Sequence, residues 1–208
     1  MIISFLNQKG GVGKTTLAIH IADSLSRKDK KVLLVDADPQ ASALDWAENS
    51  ENGNRFSVVG LPKKTLRSEL RTIETDYDYV IVDGPPRVHE IAMAAIAASD
   101  LIVIPVQPSP FDVWSLKDIV DLVNEVKTIN EHLKTVLVIN RKIVNTAIGR
   151  DVVNALADYN FPILTTAICQ RVAYAESIAL GQTVLNTNSD MKASEEIQAL
   201  TNEILEVI

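Results

Sequence analysis

The sequence predicts an α/β fold, a doubly wound and mostly parallel sheet with helices on both faces. Three features predict it. Strand-length runs such as Val32–Val35 are apolar throughout, as strands covered on both faces must be, whereas a half-exposed strand would alternate. Helix-length segments separate these runs through short connections, the rhythm of repeated βα units. The first run passes through a glycine-rich turn straight into a helix, the local geometry of anion sites in such sheets.

Each element has its own warrant in the sequence. Ile2–Leu6 reads as the first buried strand, and Thr15–Arg27 as a helix in which Leu17, Ile21, Ser24 and Leu25 fall at helical spacing. Lys31–Asp36 is the second strand, followed by a short helix around Ser42–Ala47. Phe56–Val59 reads as a third strand and Thr65–Ile73 as a basic amphipathic helix. Tyr79–Asp83 and Leu101–Val106 are strands on either side of the alanine-rich helix His89–Ala98. A long helix is expected over Val113–Asn130, where Leu116, Val120, Val123 and Val126 form an apolar stripe. Val136–Asn140, helix Ile148–Asp158 and a seventh strand, Ile163–Ile168, continue the pattern. Terminal helices are expected near Tyr174–Leu180 and over Ala193–Val207. The polar stretch Glu48–Arg55 is a surface loop, so residues 1–208 are expected to form one domain.

Composition narrows the function classes. Of 208 residues, 47% are hydrophobic, which suffices for one sizeable core. A single cysteine, Cys169, excludes an intramolecular disulfide and an iron–sulfur site built by one chain. The formal charge of −7 argues against coating nucleic acid with the whole surface but leaves room for a local basic patch. The apolar runs are far shorter than the ~20 residues a bilayer requires, and the N-terminus lacks the basic start of a signal peptide. A soluble, cytoplasmic protein is expected.

The chemistry lies in Lys9-Gly10-Gly11-Val12-Gly13-Lys14-Thr15-Thr16, between the first strand and the first helix. Glycines let backbone wrap closely around phosphate oxygens, and the helix start aims N–H groups and its positive dipole end at the same anion. In this pattern Lys14 reaches the β and γ phosphates and the Thr15 hydroxyl ligates Mg²⁺. An ordinary P-loop has glycine five positions before Gly13. Here Gln8 stands in that place, and Lys9 is added.

That substitution is the deviant Walker A motif, and the sequence resembles the ParA/MinD family of P-loop ATPases, most of all the short ParF-like plasmid partition proteins. The resemblance covers essentially the whole chain, including Thr166–Arg171 and Gly181–Val184. It implies ATP and Mg²⁺ as ligands, with Lys9 to Thr16 around the phosphates. Val35–Gln40 resembles switch I: Asp38 would orient the attacking water, and Asp36 would lie in the metal's outer shell or cap the following helix. Tyr79–Pro86 resembles Walker B running into switch II, with Asp83 holding Mg²⁺ through water. Lys9 would reach across to the ATP of a second subunit, so that hydrolysis needs an ATP-bound homodimer. The loop carrying Pro105, Pro108 and Pro110 would contribute to that interface or stiffen the chain. Asn140 and Arg141 would lie at the adenine.

Among family branches, a membrane-cycling one is disfavoured because the polar side of the Lys192–Ile208 tail carries Glu195, Glu196, Glu203 and Glu206, which anionic lipid repels. The partition branch implies a nucleoid-associated dimer that binds DNA without sequence preference. A small ParB-like adaptor would stimulate its hydrolysis. Candidate DNA contacts are Arg141, Lys142, Arg150 and Arg171, with Arg171 first, or else Lys63, Lys64, Arg67 and Arg71. Two alternatives stay open: positioning of a protein cargo such as a carboxysome or chemoreceptor array, and nucleotide-switched regulation of a partner without DNA.

Overall fold

The structure is a computed structural model. It describes residues 1–51, 53–144, 148–187 and 190–208, the side chains of 148–151 and 153 excepted. Among the described residues six strands, β1 (Ile2–Phe5), β2 (Val32–Asp36), β3 (Ser57–Gly60), β4 (Tyr79–Asp83), β5 (Leu101–Val106) and β6 (Lys134–Ile139), form one sheet in the order β3-β2-β4-β1-β5-β6. Every pairing is parallel. The pleat divides the strand residues between two cores. Ile2, Leu33, Val35, Val80, Val82, Ile102, Ile104 and Leu137 face one layer, while Ile3, Phe5, Leu34, Ile81, Val103 and Val138 face the other. The first layer is covered by α3 (Leu66–Ile73), α4 (His89–Ala98), α6 (Leu116–Lys127) and α7 (Ile148–Ala157). The second is covered by α1 (Lys14–Ser26), α2 (Ser42–Glu48), α8 (Val172–Ala179), α9 (Val184–Thr187) and α10 (Met191–Val207). The predicted fold class is the observed one.

Three elements differ from the sequence reading. The expected long helix is two: α5 (Pro110–Trp114) and α6. Pro110 opens α5 at its first turn, where its missing N–H costs nothing, and the Ser115 hydroxyl donates to the Asp112 carbonyl at 2.8 Å where the chain changes direction. The expected seventh strand, Ile163–Ile168, is not a regular strand. It touches the sheet through isolated parallel bridges, Leu137 with Ile163 and Lys142 with Cys169. The Leu164 and Ile168 N–H groups still donate to the Leu137 and Ile139 carbonyls at 2.8 and 2.9 Å. The short α9 was not foreseen; two of its N–H groups close on the Thr183 carbonyl.

α10 packs on α1 through Ala193, Ile197, Leu200 and Ile204. Its carboxylates are not all on the solvent side, as the sequence suggested. Glu203 accepts from the Thr165 and Thr166 N–H groups at 2.5 and 2.8 Å, and Glu196 from the Cys169 N–H at 3.1 Å. Among the described residues no helix is long and apolar enough to cross a membrane.

Candidate functional site

The carboxyl ends of β1, β2 and β4 converge on the loop between β1 and α1. β1 lies between β4 and β5, and the chain leaves β1 toward one face and β4 toward the other. Such a divergence opens a crevice at the strand ends. Gly13 closes the loop as the residue before α1, with φ of +93°. A Cβ there would meet Asn140 Nδ2 at 2.2 Å, so both conformation and space require glycine.

Three side-chain amides hold the loop. Asn7 Nδ2 donates to the Pro105 carbonyl at 2.9 Å while its Oδ1 accepts from the Lys9 N–H at 2.9 Å. Gln107 Nε2 donates to the Gly11 carbonyl at 2.8 Å, and Asn140 Nδ2 to the Val12 carbonyl at 2.7 Å. Amides that take up loop carbonyls leave the loop's N–H groups as the face presented to an anion. Asn7 and Gln107 were missed at the sequence level; their only signal is a lone amide at or just past a strand's carboxyl end. Asn140, read as an adenine contact or a turn residue, borders the cleft beside Gly13 and Thr16. Its amide is buried, donates to the loop and accepts from the Arg141 N–H at 2.9 Å.

The charged groups fall into two sets. Lys14 is buried, and its Nζ donates to the Lys9 carbonyl at 3.3 Å. Burial pulls its pKa down against the opposing pull of Asp83 and Asp38. Asp83, at the end of β4, is fully buried, and neither carboxylate oxygen has a hydrogen-bond partner of sound geometry. Burial pushes its pKa up to about 7, Asp36 and Asp38 add to the rise, and the nearby Thr15 hydroxyl and Lys14 oppose it. An orphaned buried carboxylate of this kind calls for a cation. The donor set, a carboxylate beside a threonine hydroxyl, suits a hard cation with oxygen ligands that keeps its waters and shares a phosphate. Among the described residues no three His, Cys, Asp or Glu side chains converge to hold a metal, so Asp83 and Thr15 fit Mg²⁺ only together with a phosphate ligand.

Asp36 does something else. Its Oδ2 accepts from the Ala43 and Leu44 N–H groups at 2.8 and 3.2 Å, and its Oδ1 from the Asp38 N–H at 3.0 Å. With both oxygens taken by backbone it caps α2 and shapes the switch I loop. This is the helix-capping role the sequence left open, and it removes Asp36 from the direct metal set. Burial raises its pKa, opposed by those N–H groups. Asp38 is half-buried; its Oδ1 accepts from the Gln40 N–H at 3.0 Å.

Lys9 points away from its own phosphate loop. Its Nζ contacts Asp112 Oδ2 at 2.7 Å, and Asp112 is buried, with its second oxygen unpartnered. Beside this pair Phe111 and Trp114, 72% and 68% exposed, stack edge to face. Pro110 is exposed and Pro108 half-buried. Pro105 is buried within β5, opposite Val138, and offers no surface to a partner.

A cleft of about 1090 Å³ runs from Gly13 and Thr16 past Arg141 to Cys169, Arg171 and Tyr174. Arg141 is exposed, with φ of +54°. Lys142 is half-buried; its backbone pairs with Ile168 and Gln170. Arg171, the first choice for DNA, carries two carboxylates of its own: Glu196 at 2.6 Å and Asp190 at 3.4 Å, with the arginine side chain only 19% exposed. A guanidinium so neutralised has little charge to offer a phosphate. The Arg150 side chain lies outside the described residues. Just before α3 Lys64 pairs with Glu90, and on α3 Arg71 pairs with Glu74, all well short of burial. Lys63 and Arg67 are exposed.

Comparison with known proteins agrees with this geometry. Residues 3–184 match the CobQ/CobB/MinD/ParA nucleotide binding domain family. The chain is 29% identical, over 98% of its length and 95% of the relative's, to the maintenance of carboxysome distribution protein A of Halothiobacillus neapolitanus. It is 27% identical to the sporulation initiation inhibitor protein Soj of Bacillus subtilis, over 98% and 97% of the two chains. The fold superposes on a Cyanothece McdA–ATP complex with a TM-score of 0.82, at 18% identity and covering 98% and 95% of the chains.

Proposed function

The chain belongs to the CobQ/CobB/MinD/ParA nucleotide-binding family, and from that premise we propose that it is an intracellular positioning ATPase. In this reading it binds ATP with Mg²⁺, dimerises around the nucleotide and holds DNA without sequence preference. It releases the DNA after hydrolysis stimulated by an adaptor protein of the ParB kind. One observation carries the reading: a phosphate loop with two lysines, one turned inward to the loop and the other outward. Lys14 is buried against Asp83 and Asp38, whereas Lys9 sits at the surface on Asp112. In its own chain Lys9 is held by Asp112 and not by the loop; released from that carboxylate, the outward lysine can serve the phosphates of a second copy.

The chain's own residues account for the chemistry. Loop N–H groups and the α1 start bind the β and γ phosphates, with Lys14 neutralising them. Thr15 and Asp83 would hold Mg²⁺, which would supply charge neutralisation to the phosphates. Asp38, with one oxygen fixed by the Gln40 N–H, orients water at the γ phosphate. Lys9 from the partner completes the charge at the transferred group.

The cargo admits two readings. Similarity to Soj over nearly the full chain supports DNA segregation. The similarity of comparable extent to a carboxysome distribution protein supports a protein-shell cargo, for which DNA serves only as the surface. Both require ATP-dependent DNA binding, and that is the test. Two duplexes of unrelated sequence are titrated in ATP and in ADP across a salt series. With ATP the affinities should match each other and fall with salt, by a log–log slope of about −0.9 per phosphate contacted; with ADP binding should be weak. An ATP-bound protein that ignores DNA at low salt overturns the positioning reading and leaves the regulator of a partner enzyme.

A further inference from the structure

The segment that replaces the seventh strand leads into the far wall of the cleft beside the phosphate loop, which Ile168, Cys169, Gln170 and Arg171 line. Its inner hydrogen-bonding groups meet β6 and the turn after it: Leu164 and Ile168 donate to Leu137 and Ile139, and Lys142 donates to Ile168. Its outer N–H groups have no strand to pair with. An irregular edge of this kind leaves its outer donors to solvent unless something else accepts from them.

α10 supplies the acceptors. Glu203 accepts from the Thr165 N–H and hydroxyl at 2.5 and 2.9 Å and from the Thr166 N–H at 2.8 Å. Seven residues earlier, two turns along the same face, Glu196 accepts from the Cys169 N–H at 3.1 Å and the Arg171 guanidinium at 2.6 Å. It also accepts from the Tyr174 hydroxyl at 3.2 Å. Cys169, Arg171 and Tyr174 line the cleft with Gly13, Thr16 and Arg141. Burial works against both carboxylates, yet the donors around them hold both pKa values below the usual range, so they are charged when they bind. Charge-assisted bonds to backbone N–H are about twice as strong as neutral ones.

We propose that Glu196 and Glu203 are positioning residues for the nucleotide's base, Glu196 fixing the cleft wall and Glu203 the segment that leads into it, from α10 and without touching the ligand. The phosphates are held at the opposite end by α1 and the glycine loop. The two carboxylates therefore act on the adenosine part of the ligand and not on its triphosphate. The inference rests on the ATP-binding reading above and adds to it a structural partition of affinity between base and phosphates.

The test separates the two parts. The full chain, wild type and with Glu196→Gln, Glu203→Gln or the exposed control Glu206→Gln, is titrated calorimetrically with ATP and with inorganic tripolyphosphate, each with Mg²⁺. Glutamine keeps the shape and drops the charge. Each of the first two variants should weaken ATP binding about tenfold, the scale of one hydrogen bond to a charged group. Tripolyphosphate affinity should not change, and neither should turnover at saturating ATP; Glu206→Gln should behave as wild type. Unchanged ATP affinity in both variants overturns the proposal, and so does an equal loss for tripolyphosphate, which would mark a general defect. Hydrogen exchange on the wild type decides the matter if a variant does not fold. ATP, but not tripolyphosphate, should slow exchange at Thr165, Thr166 and Cys169, and equal protection by both refutes it. A wild type that binds tripolyphosphate but not ATP would overturn the ATP reading itself.

Discussion

Replacing Asp83 with asparagine should stabilise the protein at alkaline pH without nucleotide and abolish its stabilisation by nucleotide. Asp83 is fully buried with both oxygens unpartnered, and its pKa rises from 3.8 to about 7 because burial penalises the charge. The sign follows from linkage. Between those two pH values the unfolded chain has lost the Asp83 proton and the folded chain has kept it, so stability falls as pH rises through the window. The stability conferred by the protonated form is complete below about 3.8 and gone above about 7. At about 1.4 kcal/mol per pH unit, the ionised side chain costs about 4 kcal/mol at pH 8. Asparagine removes that charge but leaves a buried amide with few partners, at a cost of roughly 1–3 kcal/mol. Asp83→Asn should thus gain about 2 kcal/mol at pH 8 and lose about 2 kcal/mol at pH 4, a rise in Tm of about 5 °C at the higher pH and a similar fall at the lower one for a chain of this size.

Thermal melts at both pH values measure this, repeated with saturating Mg²⁺ and ATP. Wild type should recover the difference once the cation neutralises Asp83, while the variant should gain little from the ligand. If Asp83→Asn melts below wild type at pH 8 without nucleotide, the carboxylate is not orphaned and the cation-site argument fails. An unchanged pH slope would show that the raised pKa belongs to another group.

Lys9→Ala should keep ATP affinity within about threefold, since Lys14 and the loop remain, and should lose ATP hydrolysis by the 10³-fold or more that a trans-acting cation contributes; normal turnover in a steady-state phosphate assay removes Lys9 from the reaction. Asp38→Ala should bind ATP and accumulate as a dimer in size-exclusion chromatography without hydrolysing it, and a variant that remains monomeric with ATP would assign Asp38 to assembly. Arg171→Glu should cost on the order of 3 kcal/mol, because Glu196 and Asp190 lose a half-buried cation and meet a like charge. Arg141→Glu, at an exposed position, should leave the melt unchanged and flatten the salt slope of DNA binding by about one unit. Equal melts for the two arginine variants would refute this division of roles.

The sequence exposed the phosphate loop because its chemistry is local. Eight consecutive residues, a strand before them and a helix after them define the anion site without knowledge of distant contacts. The same holds for Asp83, whose position at the end of an apolar run places it at a strand's carboxyl end in any parallel sheet. The partners of Asn140, Asp36 and Arg171 were not legible, for the opposite reason. Each was recognised as polar and near the site, but its role depends on which partner fills its hydrogen bonds: Val12 for Asn140, the α2 N–H groups for Asp36, Glu196 and Asp190 for Arg171. The Arg171–Glu196 and Val12–Asn140 pairings span 25 and 128 residues and leave no trace in local spacing.

The edge of the sheet makes the limit concrete. Ile163–Ile168 contains Ile, Leu and two Thr, and by propensity it is a strand. A strand at an edge, however, needs its outer N–H groups accepted by something. The sequence does contain the answer, in two glutamates seven residues apart on the last helix, but periodicity assigns them to the polar face because charge and solvent exposure usually coincide. What distinguishes Glu196 and Glu203 from Glu195 and Glu206 is their angular position beside the apolar stripe of Ile197, Leu200 and Ile204. Those two carboxylates lie on the stripe's border, where a charge lasts in a folded protein only with donors in front of it. Charges bordering a buried stripe are therefore the ones to treat as structural acceptors when a preceding segment reads as a strand with no neighbour on one side.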